Sequence, residues 1–263
     1  QPQNEPIAFE WQIDLCNRTL KDYWVTVPHE STPSDWQQLA QLIHQQLDPR
    51  LRVYVEWSNE VWNGSFASNG YSAGKASQLG LPGSDGAESF HVYQSVRLFE
   101  TFESVFGANS PRLVKVMAGQ AAWTGPCDAQ VTALADSTIN PNHTRPNVYA
   151  IAPYLSATTM SGLHNQVSVI ATWVTDSARC ASRMGVPLVS YEGGTDSYAA
   201  GSSGCRALQH DAGMRSLYVT YLNRMASAGM KGPFVQYTHS GECWGLKENT
   251  DDSVAVSPKY RGV

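Results

Sequence analysis

Two glutamates stand where short strand-like runs end. Glu60 closes Val53-Tyr54-Val55-Glu56-Trp57-Ser58-Asn59-Glu60, and Glu192 follows Leu188-Val189-Ser190-Tyr191 and precedes Gly193-Gly194. Two carboxyls can divide labour. One held neutral gives a proton to a departing oxygen, while the other, ionised, attacks as a nucleophile. A single Glu is ordinarily a solvated surface charge or half of a salt bridge. What sets this pair apart is its placing, because the C-terminal ends of parallel strands converge on the ligand site, and a carboxylate there points into a cleft. The glycines after Glu192 permit close approach of backbone or ligand.

The elements that must position these carboxyls alternate. Runs rich in β-branched and aromatic residues lie at Tyr23 to Val27, Val53 to Trp57, Leu113 to Met117, Val148 to Tyr154, Pro187 to Tyr191 and Pro233 to Tyr237. Helical periodicity fills the gaps, at Phe9 to Leu20, from Ser34-Asp35 through Leu47, and at Ser89 to Phe106, Leu163 to Arg183 and Asp211 to Ala228. Strand and helix in alternation predict an α/β fold with a parallel sheet and crossover helices. Six strands are visible where a (β/α)8 barrel needs eight. The helix at Phe9 to Leu20 leads directly into the first visible strand, so two strands are expected upstream of Gln1. Ser257-Pro258 starts a further helix, with Pro at its first position. The expectation is one catalytic barrel domain over 1–263, clipped at both ends. An open doubly wound sheet of six strands is the alternative, without a Gly-x-Gly-x-x-Gly to support a nucleotide version. The Gly/Ser-rich stretches Gly193 to Gly204 and Gly80 to Gly86 are expected to be long loops over one face.

Asn59-Glu60 and Glu192 resemble the acid/base and nucleophile of clan A glycoside hydrolases, which sit on barrel strands four and seven. The strand count agrees, since two runs, at Leu113 and Val148, separate those that carry the pair. The spacing Glu56-x-x-Asn59-Glu60 is similar to the extended motif of several clan members, in which the first Glu supports the strand end. The stretch from Trp24 to Trp62 also resembles bacterial secreted cellulase or cellulose-binding proteins. The resemblance implies a retaining hydrolase, with Glu60 protonating the leaving group and later deprotonating water, and Glu192 forming a covalent glycosyl intermediate. It gives Asn59 the sugar 2-hydroxyl, makes Tyr154 the partner of the nucleophile, and makes Trp244 the floor at the cleavage point, with Tyr237 or His239 as substitutes. His29, beside Pro28 at a strand end, is placed to bond a sugar hydroxyl or the carboxylates. Trp62 and Trp123 are candidate outer subsites. Each aromatic has a competing reading as core or loop packing. Glu242 is an extra carboxylate whose like charge would raise a neighbour's pKa.

Composition narrows the partners. The 263 residues carry 18 basic and 23 acidic side chains and a net charge of -5, with no cationic stripe for a phosphate backbone, so nucleic acid is not expected. No apolar run is long enough to span a bilayer, and a membrane partner is not expected either. Five cysteines lack metal-site spacing. A loop disulfide between Cys205 and Cys243 is expected in an oxidising compartment, with at least one thiol left over. Asn63-Gly64-Ser65 and Asn142-His143-Thr144 are acceptor sequons. Together with these features, the resemblance implies a secreted or periplasmic hydrolase of β-linked polysaccharide, such as a glucanase, mannanase or xylanase, endo-acting because long loops suggest an extended cleft, and working without metal or organic cofactor. A barrel that binds polysaccharide without cleaving it is the alternative.

Overall fold

The computed structural model describes residues 7–263. Its elements run α1 (Phe9–Thr19), β1 (Tyr23–Val27), α2 (Pro33–Gln46), β2 (Val53–Trp57), α3 (Ala67–Leu79), α4 (Gly86–Phe106), β3 (Leu113–Ala118), α5 (Gly125–Ala135), β4 (Val148–Ile151), β5 (Leu155–Ser156), α6 (Met160–Met184), β6 (Leu188–Ser190), β7 (Thr195–Asp196), α7 (Gly201–Gln209), α8 (Met214–Ala228) and β8 (Met230–Phe234). Six strands share one sheet in the order β1-β2-β3-β4-β6-β8, and β5 and β7 pair separately. The fold class is the expected one, α/β, with six parallel strands and helical crossovers.

The chain divides into two compact units. One comprises the described residues through Ala118 together with Asp128–Val148, and the other comprises Gly119–Cys127 and Tyr149–Val263. In the first unit, β2 and β3 are buried along their whole length, as strands covered on both faces must be. Pro33 pre-sets the first turn of α2, Thr32 accepts from the Asp35 backbone N–H, and Asp35 reaches back to the Thr32 N–H at 2.8 Å. Beneath β2 and β3 lies a buried polar cluster. Gln130 Nε2 donates to Glu88 Oε2 at 2.6 Å and to the Ala118 carbonyl at 2.8 Å, and His91 Nδ1 lies 3.0 Å from the same Glu88 oxygen. The Trp57 ring leans against His91, with centroids 5.8 Å apart.

In the second unit, α6 starts on a Thr159 cap that accepts from the Gly162 N–H and stops at Gly185, whose φ of +78° suits a residue without Cβ. Two disulfides cross-link this unit, Cys127 to Cys180 and Cys205 to Cys243, and Cys16 in the first unit is free. Only the second pair and a leftover thiol are foreseen from sequence.

Several boundaries differ from expectation. The fourth strand stops at Ile151, before Pro153, which has no N–H for a ladder. The last strand occupies Met230–Phe234 instead of Pro233 to Tyr237, and Val235 to Tyr237 belong to the loop that follows. The expected loop at Gly193 to Gly204 contains β7, a 3-10 turn at Tyr198–Ala200 and the start of α7. Ser257-Pro258 begins no α-helix, only a 3-10 turn at Tyr260–Gly262. Helix α3 escapes the sequence reading because Gly70, Gly74 and its serines are poor helix formers. It exists through packing. Its small residues let α4 come close, so that a Cβ on Gly86 would lie 3.4 Å from Ala76 Cβ.

Candidate functional site

The first unit carries His29, Asn59 and Glu60. Strands β1 and β2 are parallel with Val27 level with Trp57, and the Ser58 N–H continues the ladder to the Val27 carbonyl at 2.7 Å. His29 and Asn59, each two residues further on, therefore emerge side by side. Both line a cleft of about 330 Å³ with Thr26, Pro28, Ser58 and Phe66. The His29 ring meets Tyr71 edge-on, with centroids 5.0 Å apart. Glu56 is buried, and its Oε2 accepts from the Trp24 indole at 2.8 Å, which ties the strand bearing Glu60 to its neighbour.

The backbone at Ser58-Asn59-Glu60 is strained. Ser58 has φ +63° and Glu60 φ +45°, both in the left-handed region without being glycine. Each such residue costs about 1–3 kcal/mol, and two of them flank Asn59. The turn re-aims successive side chains just past the strand end, and the Asn63 amide holds Glu60 by donating from Nδ2 to Oε2 at 2.9 Å. Trp62 is half-buried beside this turn. Asn63, Phe66 and Tyr71 are site neighbours that sequence reasoning missed. Asn63 stood out only as a sequon, a pattern that says nothing of what its amide bonds.

The second unit carries Glu192, Tyr154, Trp123, His239 and Trp244. Strands β4 and β6 are parallel with Ile151 level with Ser190, and the Tyr191 N–H continues the ladder to the Ile151 carbonyl. Past these ends Tyr154 donates its hydroxyl to Glu192 Oε2 at 2.9 Å. Tyr154 is itself set by Pro153, whose carbonyl accepts from the buried Tyr221 hydroxyl. Burial pushes both Tyr221 and Tyr218 above the ordinary phenol range, so they stay neutral donors. The glycines after Glu192 let the backbone run close to neighbouring side chains. A Cβ on Gly193 would lie 2.4 Å from the Phe234 ring, and one on Gly194, at φ +126°, would lie 2.2 Å from the Gln236 amide.

Trp244 is half-buried. Tyr198 stacks on it at 5.4 Å and 15° between planes, and Tyr237 meets it edge-on at 6.4 Å. One of its two faces is thus already covered, and the most exposed ring of the three is Tyr198, at 67% against 47% for Tyr237. His239 is brought to a different neighbour, Tyr260, at 6.0 Å and edge-on. Trp123 is 59% exposed, and its ring lies against Gly125, where a Cβ would clash at 2.1 Å. Glu242 does not act as a lone like charge, because Arg206 Nε pairs with its Oε1 at 3.0 Å. Tyr198 went unseen in the sequence because its stacking partner is far along the chain. Among the described residues, no cluster of His, Cys, Asp and Glu could hold a metal ion, and no helix is long and apolar enough to cross a membrane.

No family model and no curated protein matches the sequence. Among solved structures, one described as a novel 4-O-α-L-rhamnosyl-β-D-glucuronidase from Fusarium oxysporum 12S, with Rha-GlcA, is similar at a TM-score of 0.60 and 13% identity. The likeness covers 96% of this chain and 51% of that one, so this chain spans about half its length. At that identity the likeness is one of fold, and it is a fold in which a glycosidase is built.

Proposed function

We propose that the chain carries the active site of a retaining glycoside hydrolase that cleaves β-linked polysaccharide within the chain, with Glu60 as acid/base and Glu192 as nucleophile. The observation that carries this reading is the Tyr154 hydroxyl on Glu192 at 2.9 Å, past the ends of two paired parallel strands. That bond holds the carboxylate in one orientation for in-line attack. The strained turn that aims Glu60, and its bond from Asn63, support the partner role. In the first half-reaction Glu60 donates its proton to the leaving oxygen while Glu192 bonds the sugar carbon. In the second, Glu60 takes a proton from water, and that water releases the sugar from Glu192. Asn59 would hold the 2-hydroxyl, and His29, on the same cleft, would bond a neighbouring hydroxyl. Trp62, Trp123, His239 and Trp244 are proposed further contacts. The structurally similar protein, described as a 4-O-α-L-rhamnosyl-β-D-glucuronidase, lends the glycosidase class further support. Two disulfides suit a secreted protein.

The test is turnover on a panel of β-glucan, mannan and xylan, with NMR of the first-formed product. Retention at the anomeric carbon is expected. Glu192→Ala and Glu60→Ala should each lower turnover by on the order of 10³-fold. Carboxyl groups about 5–5.5 Å apart in a crystal structure would agree with retention. A panel without turnover, or Glu192→Ala at wild-type rate, would falsify the hydrolase. Oligosaccharide binding without turnover would instead make the chain a polysaccharide-binding barrel.

A further inference from the structure

The segment after β8 has little regular structure. Its ladder is reduced to one isolated bridge, between Ser240 and Lys247. It is nevertheless tied to one face of α7 and to the residue that caps it by four side chains. Cys205 is disulfide-bonded to Cys243. Arg206 Nε lies 3.0 Å from Glu242 Oε1 and 2.9 Å from Glu248 Oε1. Gln209 donates from Nε2 to the Gly245 carbonyl at 3.1 Å and accepts at Oε1 from the Cys243 N–H at 3.1 Å. His210 Nε2 lies 2.7 Å from Glu248 Oε2.

Trp244 is the next residue after the clasped Cys243, and Tyr198, which stacks on it, sits on the turn that runs directly into α7. The two rings are therefore borne by the two segments that the clasp joins. An exposed tyrosine on a turn normally rotates freely. Here one face is pinned on an indole while the residue stays 67% exposed. Such a flat, ordered and open π face, electron-rich, fits the C–H face of a pyranose, and a ring already fixed loses little rotamer freedom on binding.

We propose that the outer face of Tyr198, backed by Trp244, is a pyranose-stacking subsite whose order is set by the α7 clasp, so that reduction of Cys205–Cys243 weakens glycan binding. The ligand class rests on the glycosidase reading, but binding at this face does not require turnover. In reduction each sulfur takes up one electron and one proton from a dithiol, which is itself oxidised to its disulfide.

The test is calorimetric titration of Glu192→Gln protein, so that ligand is not consumed, with cellohexaose, mannohexaose and xylohexaose, alongside KM and kcat of the parent on the polymers. Tyr198→Ala should raise Kd about tenfold, with KM rising more than kcat falls, and Tyr198→Phe should restore both. Cys205→Ser/Cys243→Ser, or mild reduction of the parent, should raise Kd comparably. If the double variant does not fold, Arg206→Ala reads the same clasp. Cys127→Ser/Cys180→Ser should lower the melting temperature yet keep Kd, which separates positioning from general stability. Tyr198→Ala protein that binds as tightly as its parent overturns the subsite even where polymer is cleaved. So does a parent that binds none of the three hexasaccharides. Weakened binding in Tyr198→Ala protein together with no turnover by the parent leaves the subsite standing and removes the hydrolase.

Discussion

The two units hold their strand-end residues by different means. In the first, β1, β2 and β3 are followed by packed helices, and Glu60 is aimed by a strained turn and short-range bonds, with a buried Glu88-His91-Gln130 cluster beneath. No disulfide lies among its described residues. In the second, the stretch from 235 to 263 has only short 3-10 turns and one isolated bridge, and both disulfides, the Arg206 ion pairs and a buried lysine fall in this unit. In the first unit, helices packed over the strands suffice. In the second, Cys205–Cys243 fastens the returning loop, which buries too little apolar surface to offset its own ordering, and Cys127–Cys180 adds a cross-link between helices α5 and α6.

The contrast can be broken most forcefully at the cross-links. Cys127→Ser/Cys180→Ser opens a link between residues 53 apart in sequence, and the chain-entropy account puts the loss at ~4 kcal/mol. Denaturant unfolding should show it. Removing the free thiol of the first unit, as in Cys16→Ser, should have no comparable effect, and an equal loss there would erase the distinction.

Next in size is Lys259. Its Nζ is buried and donates to the Cys243 carbonyl at 2.7 Å, and burial pushes its pKa from the ordinary 10.5 down to about 7. Between about pH 7 and pH 10.5 the unfolded chain holds this proton and the folded chain does not, so stability rises with pH across that window. Below about pH 7 both states are protonated and the folded state bears the full cost of a buried charge. Chemical denaturation at pH 6 and pH 9 should differ by a few kcal/mol in that direction. Lys259→Met should flatten the slope, and an unchanged slope in that variant would assign it elsewhere.

Two smaller changes probe the packed unit. Gln130→Ala removes a donor from the Ala118 carbonyl and from a buried Glu88 oxygen, which keeps only its His91 neighbour, and it should cost about 1–3 kcal/mol in unfolding experiments. Thr32→Ala removes the cap of α2 and should cost about 1 kcal/mol. Neither should alter the pH slope set by Lys259.

The sequence makes the alternation legible because β2, β3 and β4 are short, wholly buried runs, apolar but for Glu56 and Lys115 and the tyrosine hydroxyls. The Asn59-Glu60 turn is marked by its residue types, and Tyr154 by its position past a strand. What escapes it depends on contacts between distant residues. Nothing in Gly193 to Gly204 signals that Tyr198 will lie on Trp244. Cysteine spacing does not choose Cys180 as the partner of Cys127. Helix α3 is carried by a neighbouring helix rather than by its own propensity. The strand expected at Pro233 to Tyr237 is displaced because Met230 pairs with Leu188, a register set by the adjacent strand.

The bond from Asn63 to Glu60 has a practical side. Asn63 heads an acceptor sequon, and the nitrogen that a eukaryotic secretory pathway would modify is the same Nδ2 that now donates to Glu60. Protein made in a yeast that uses this sequon would bear a branched sugar at that atom, whereas protein made in a bacterial host that does not glycosylate would carry the bare amide. The choice of expression organism therefore changes the molecule within one hydrogen bond of Glu60.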